Sequence, residues 1–215
     1  IKEGTAVYTK NGEEDTLDGD AILLATGRGP NTEGLHAERA GVELTKRGAV
    51  VTDKHLRTTA ENIWAAGDVC GNLQFTYISL DDSRIILSDM QGDGSRTTEN
   101  RGAFAYSVFM EPSFSRAGLS EKEAADKGLN YRVVRMNTDM IPKAKVLRKT
   151  AGMLKAVIDK DSGKILGAAL FCPESYEIIN MVKLAMDHDL DYTVLRDFIY
   201  THPTMSEGLN DLFAL

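Results

Sequence analysis

His202-Pro203-Thr204-Met205-Ser206-Glu207 sets an imidazole and a carboxylate five residues apart near the end of a 215-residue chain. Proline is well tolerated in a first helical turn and forces the residue before it to be extended. The stretch therefore predicts a helix starting near Pro203, with His202 just outside it and Glu207 about one turn inside. From there the glutamate side chain can fold back to the ring. A carboxylate bonded to one ring nitrogen fixes the tautomer and raises the basicity of the other nitrogen. Such a pair suits proton transfer near neutral pH, worth about 10²–10⁴-fold in rate. A helix-capping histidine beside a solvated glutamate accounts for the same residues.

Working back, Ala65-Ala66-Gly67-Asp68 reads as the end of a buried strand over 62–66, closed by a glycine and an acid. Open α/β sheets bind ligands at the carboxyl ends of their strands, and an ionised aspartate there accepts from a sugar hydroxyl. A plain turn aspartate is the other reading. Further upstream, Ala21-Ile22-Leu23-Leu24-Ala25 is a continuous apolar run before Thr26-Gly27, the pattern of a strand buried on both faces. Gly27-Arg28-Gly29 is not a dinucleotide fingerprint, because the third glycine and the following helix are missing. Asn11-Gly12, after Ala6-Val7-Tyr8-Thr9, predicts a tight hairpin. A helix is expected over 79–90, with Leu80, the Arg84 stem, Leu87 and Met90 on one stripe. The polar, glycine-bearing stretch 91–101 marks a domain boundary.

Beyond it the pattern is α+β. Strands are expected at 106–110, 131–136, 152–158 and 164–171, the last two joined by the hairpin turn Lys160-Asp161-Ser162-Gly163. Ser120-Glu121-Lys122-Glu123 is a capping box opening a short helix that stops at Gly128. Ile178, Ile179, Val182, Ala185 and Met186 follow helical spacing and predict an amphipathic helix over 174–188, with a further short helix near 193–199.

A net charge of -7 argues against general nucleic-acid or anionic-membrane binding. No apolar run approaches the roughly 18 residues of a membrane span, and no signal-peptide pattern opens the sequence. Cys70 and Cys172 are too far apart for a CxxC motif, so a reducing cytoplasm is the expected compartment. The eight methionines sit at apolar positions and read as core, and His36, His55 and His188 have no companion at metal-ligand spacing, so no metal site is assigned. Lys143, Lys145, Arg148 and Lys149 read as a solvated basic face. Because Ile1 is not an initiator, the chain is expected to be part of a longer polypeptide.

Three stretches then fall into one order: Ala25-Thr26-Gly27-Arg28-Gly29-Pro30-Asn31-Thr32, Thr58-Thr59-Ala60-Glu61-Asn62-Ile63-Trp64-Ala65-Ala66-Gly67-Asp68, and His202-Pro203-Thr204-Met205-Ser206-Glu207. This resembles the C-terminal half of a flavoprotein disulfide reductase, the class I pyridine nucleotide-disulfide oxidoreductases that include glutathione reductase, lipoamide dehydrogenase and mercuric reductase. The resemblance implies an α+β interface domain over 100–215, preceded by parts of an FAD-binding domain (27–99) and of an NAD(P)-binding domain (1–26). It implies that Asp68 bonds the ribityl chain of FAD with Gly67 beside it in the cofactor site, that Thr76 lies near the flavin, that Gly27 lines the path to the nucleotide of NAD(P)H, and that the Gln74 backbone faces the nicotinamide. His202 and Glu207 match a catalytic dyad that reaches across the two-fold axis of a homodimer.

Phe75-Thr76-Tyr77-Ile78-Ser79-Leu80-Asp81-Asp82 and Ser206-Glu207-Gly208-Leu209-Asn210-Asp211-Leu212-Phe213 are similar to a bacterial branch near mercuric reductase, linked to resistance against reactive chlorine and hypothiocyanous acid. The chain ends at Leu215 without a cysteine pair, which argues against mercuric ion, while Met205 and Gly208 depart from the glutathione reductase pattern. A small oxidant or metal ion is then the expected acceptor. The other class of reading is a non-catalytic dimerisation module of the same descent; the presence of Asp68, His202 and Glu207 together speaks against it.

The flavin fingerprint and the redox-active cysteine pair are absent from this sequence. The 215-residue chain alone is therefore expected to show no NAD(P)H-dependent reductase turnover, and measurable turnover in a standard spectrophotometric assay would overturn that reading.

Overall fold

A hairpin opens the first of two compact units, residues 1–98 and 99–215. The computed structural model describes residues 4–215, so Ile1, Lys2 and Glu3 of the expected 1–26 segment lie outside the described residues. Strands β1 (Thr5–Lys10) and β2 (Glu13–Asp18) pair antiparallel around Asn11 and Gly12, both at positive φ as a two-residue turn of this kind demands. Tyr8 Oη donates to Asp15 Oδ2 across the pair (2.9 Å).

The run at 21–25 is not a strand. It has no regular structure, and Leu23 is 88% exposed. A strand buried on both faces needs neighbours along both edges and a layer over each face, and none of the described residues pairs with this segment. The strand expected at 62–66 is reduced to one bridge, Arg57 to Trp64. The buried residues of this unit form two small clusters, Ala37, Val42 and Val50 in one and Leu56, Cys70 and Ile85 in the other.

Helix α1 spans Thr76–Gln91, but its buried face is not the predicted one. Leu80, Leu87 and Met90 are exposed, while Ile78, Asp82, Ile85 and the Asp89 carboxylate point inward. Two acids ride on the buried stripe because each has fixed donors. Asp89 receives Arg57 through Nε (2.7 Å) and Nη2, and Trp64 Nε1 (2.9 Å), with His55 Nδ1 3.8 Å away. Hydrogen bonding from Arg57 holds its carboxyl below the usual aspartate range.

The second unit is α+β. Its antiparallel sheet runs β3 (Ala105–Val108), β4 (Phe114–Gly118), β7 (Ile165–Phe171), β6 (Met153–Asp159), β5 (Tyr131–Asn137) in spatial order. Helices α4 (Ser175–Asp187) and α6 (Gly208–Ala214) pack on one face. Between them and the sheet lies the core: Leu154, Ala156, Ile158, Ala168 and Leu170 from strands, Ile178, Ile179, Val182 and Ala185 from α4, Leu209, Leu212 and Phe213 from α6. Full burial stabilises each large side chain by roughly 1.5–3 kcal/mol. The sequence reading missed β4, which is short and carries an arginine, and α3 (Pro142–Leu147), one turn and a half begun by proline. No helix among the described residues is long and apolar enough to cross a membrane.

Polar links tie the layers together. Ser107, Ser115, Ser175 and Ser113 form a chain of hydroxyl contacts (2.7, 2.9 and 2.8 Å), ending where Ser113 donates to the Cys172 carbonyl (3.0 Å). The expected capping box forms at α2 (Glu121–Asp126): Glu123 N–H donates to Ser120 Oγ (3.2 Å), and Ser120 N–H to Glu123 Oε2 (2.7 Å). Arg116 Nη2 reaches the same oxygen at 2.8 Å.

Hydrogen bonds from Ser120, reinforced by Arg116, bring the Glu123 carboxyl down to about 2. A depressed carboxylate stabilises the fold fully above its unfolded value of about 4.3, and that contribution is lost as pH falls through the folded value. Glu123→Gln should therefore lower the urea midpoint at pH 7. The gap from the unaltered chain should narrow progressively between about pH 4 and pH 2, followed by circular dichroism.

Candidate active site

The segment from α5 (Tyr192–Arg196) to α6 carries the histidine. No helix starts at Pro203: the His202–Pro203 bond is cis, and α6 begins at Gly208 with Glu207 as its N-cap residue. The reason lies in where the backbone and hydroxyl groups are used. Thr204 Oγ1 donates to the Thr201 carbonyl (2.7 Å) and accepts from Glu207 N–H (3.3 Å), so 201–207 is a closed turn rather than a helical one. Gly208 follows because a side chain there would meet Ile141, whose Cδ1 lies 2.7 Å from the position of a Cβ.

Within this turn His202 Nδ1 sits 2.9 Å from Glu207 Oε2, which also accepts from Thr204 N–H at 3.4 Å. Facing a carboxylate, which when ionised only accepts, Nδ1 is the ring nitrogen suited to donate, and Nε2 is the one left for other partners. The environments differ sharply: the imidazole is 71% exposed and the carboxylate 13%. Glu207 Oε1 is buried with no hydrogen-bond partner among the described residues. A fixed, sheltered carboxylate behind an exposed ring is a geometry that holds one tautomer and presents Nε2 outward.

The other predicted residues lie in the first unit, where a 3₁₀ turn, Gly67–Cys70, abuts the first turns of α1. Gly67 N–H donates to the buried Asp82 Oδ2 (2.8 Å). Gly67 has φ +73°, and a Cβ there would fall 2.7 Å from Ser79 Oγ. Asp68 is exposed beside Arg28, whose Nη1 is 3.6 Å from Oδ2. Thr76 is the first residue of α1, whose N-cap Phe75 offers no side-chain acceptor. The Gly67–Asp82 bond thus sets the Gly67–Cys70 turn against α1, which begins at Thr76, while Arg28, next to Gly27 (φ +113°), reaches Asp68 with the end of its side chain. Gln74 is half-buried and precedes the helix.

Asp82 and Thr204 belong to these sites and escaped the sequence reading. For Asp82 the signal was present, an acid in step with Ile78 and Ile85 on the buried stripe. Thr204 gave none, because its role depends on the turn. Both cysteines are buried, and burial pushes the Cys172 thiol up to about 12, away from the range of a reactive thiolate. Among the described residues no three His, Cys, Asp or Glu side chains are grouped to hold a metal ion.

Residues 104–213 match the family described as pyridine nucleotide-disulphide oxidoreductase, dimerisation domain, and residues 1–83 match pyridine nucleotide-disulphide oxidoreductase. Over 203 residues the chain is 52% identical to the probable pyridine nucleotide-disulfide oxidoreductase RclA of Escherichia coli K12, covering 94% of this chain and 46% of that protein. A mercuric reductase of Staphylococcus aureus is 34% identical, with 96% and 38% covered. Among solved structures, the HOCl-induced flavoprotein disulfide reductase RclA from E. coli superposes with a TM-score of 0.90 at 49% identity, covering 99% of this chain and 48% of that one. Its Cu(II) complex gives 0.91 at 48% identity, covering 100% and 49%. The chain spans less than half the length of these relatives.

Gly67→Ala should destabilise the first unit by about 1–3 kcal/mol, the cost of a left-handed backbone with a side chain, plus the clash with Ser79. Adding Ser79→Gly should relieve only the clash, as read by urea unfolding of the single and double variants.

Proposed function

The chain belongs to the pyridine nucleotide-disulfide oxidoreductase family, and on that premise we propose that it forms the flavin-flanking and dimerising portion of a homodimeric FAD-dependent NAD(P)H oxidoreductase acting on a sulfur group. Residues 1–26 are read as belonging to the NAD(P)-binding domain, 27–99 to the FAD-binding domain and 100–215 to the interface domain. Cys70 and Cys172, which lack CxxC spacing, fit a reducing cytoplasm as its place.

The observation that carries the proposal is the 2.9 Å contact between His202 Nδ1 and the sheltered Glu207 carboxylate. In this reading His202 Nε2 takes a proton from a thiol and returns it, while Glu207 offsets the charge of the imidazolium. The exposed ring fits a residue that works on the partner subunit's substrate rather than in a cleft of its own unit.

The first unit fits a flavin by its chemistry. Asp68 offers an exposed carboxylate to polyol hydroxyls, and the start of α1, without a side-chain cap, favours negative charge. Gly67 is held against α1 by the Asp82 bond, which sets the direction of Asp68. Bound FAD would supply the two-electron relay between nicotinamide and sulfur. Gly27 and Gln74 would line the nicotinamide approach. A small oxidant or a metal ion is the acceptor best supported, because the similar E. coli protein is described as HOCl-induced and as forming a Cu(II) complex.

Protein expressed from the complete reading frame should purify yellow, with a flavin absorption spectrum, and Asp68→Ala should lose most of that colour. His202→Gln should keep the flavin and lower turnover about 10²–10⁴-fold. Turnover should be higher with hypothiocyanous acid or copper(II) than with glutathione disulfide. A colourless protein, or an unimpaired His202→Gln variant, would overturn the reading.

A further inference from the structure

Asn210 lies in α6, three residues after Glu207, and its backbone N–H donates to the Glu207 carbonyl at 3.0 Å. Its side-chain Nδ2 faces three carbonyl oxygens of the preceding segment: Leu195 (3.1 Å), Arg196 (2.7 Å) and Phe198 (3.0 Å). The assignment of nitrogen to this position is chemically forced, because the amide oxygen would oppose three acceptors. Leu195 and Arg196 end α5, and the last carbonyls of a helix have no partner within it. The amide therefore closes α5 from outside and fastens it to the helix that begins beside Glu207.

What lies between needs such a fastening. The connector between α5 and α6 buries little: Ile199 is 94% exposed, Phe198 and His202 are exposed, and only Met205 is fully buried. Tyr200 adds one hydroxyl bond to the Leu195 carbonyl (3.1 Å). Thr204 closes the far end of the connector but makes no bond to α5. With few apolar anchors, Met205 in the core and Tyr200 against it, the place of the His202 ring depends on polar ties at the two ends, and Asn210 shares its two amide hydrogens among three carbonyls at the near end.

We propose that Asn210 is the positioning residue of the His202–Glu207 pair, fixing the α5–α6 connector so that Nδ1 stays on the carboxylate. The inference rests on reading that pair as an acid/base dyad. It adds a residue that touches neither the ring nor a substrate and acts through the connector alone.

The test is nitrogen-15 NMR of the imidazoles in the 215-residue chain. His36, His55 and His188 serve as internal controls, and Glu207→Ala is the reference for an unheld ring. In the unaltered chain His202 should be protonated at Nδ1. Asn210→Ala should lower the ratio of Nδ1–H to Nε2–H about ten-fold, the scale of one lost hydrogen bond, with the three control histidines unmoved. Asn210→Gln, which keeps the amide but displaces it by one methylene, should fall between and serves if the alanine variant does not fold. Tyr200→Phe should change the ratio little. An unaltered chain without Nδ1 protonation would overturn both the dyad and this inference. A normal unaltered chain with an unchanged ratio in the Asn210 variants would overturn this inference alone.

Discussion

Burial of Leu209, Leu212 and Phe213 against the sheet is the constraint on which the C-terminal unit depends. These side chains fix the axis and rotation of α6, and Glu207 stands at its N-cap, directly before the first turn. The carboxylate is thus aimed by apolar packing several residues away. The imidazole is then drawn to it by a single hydrogen bond. A polar pair of this kind gains its definition from the hydrophobic surface behind it, since an exposed ion pair alone is worth little.

The two units solve the burial problem unequally. Around the five-stranded sheet, one contiguous cluster takes in strands and helices alike. The N-terminal unit has two small clusters, and Leu17, Leu23, Leu24, Leu35, Tyr77 and Leu87 face outward. Its order comes to a large degree from directed polar contacts: Asp89 gathering Arg57 and Trp64, Asp82 holding Gly67. Such contacts are exacting in geometry, so they place the Gly67–Cys70 turn accurately even where apolar packing is thin.

Legibility in the sequence followed the range of the forces involved. The capping box at Ser120, the Asn11-Gly12 turn, and the strands at β5, β6 and β7 were readable because a few neighbouring residues decide them. So was the spacing of His202 and Glu207, although not the route between them: Pro203 reads equally well as a helix opener, and only the hydroxyl bonding of Thr204 shows that the chain turns first. The apolar run at 21–25 misled because a buried strand is defined by its neighbours and not by its own composition. On α1 the pattern held two candidate stripes. Leucines marked one and acids the other, and the acids proved to be inside because arginine, tryptophan and a backbone amide were waiting for them.

The serine chain beneath α4 sets a rule for how this domain can change over generations. Ser113, Ser115 and Ser175 are buried, and each hydroxyl is a neighbour's partner. Losing one strands hydrogen-bonding capacity where water does not reach, whereas converting the set together to apolar side chains removes donors and acceptors at once. Replacements at these positions are therefore epistatic: the first is deleterious, the later ones restorative, and lineages should carry the whole set or none of it.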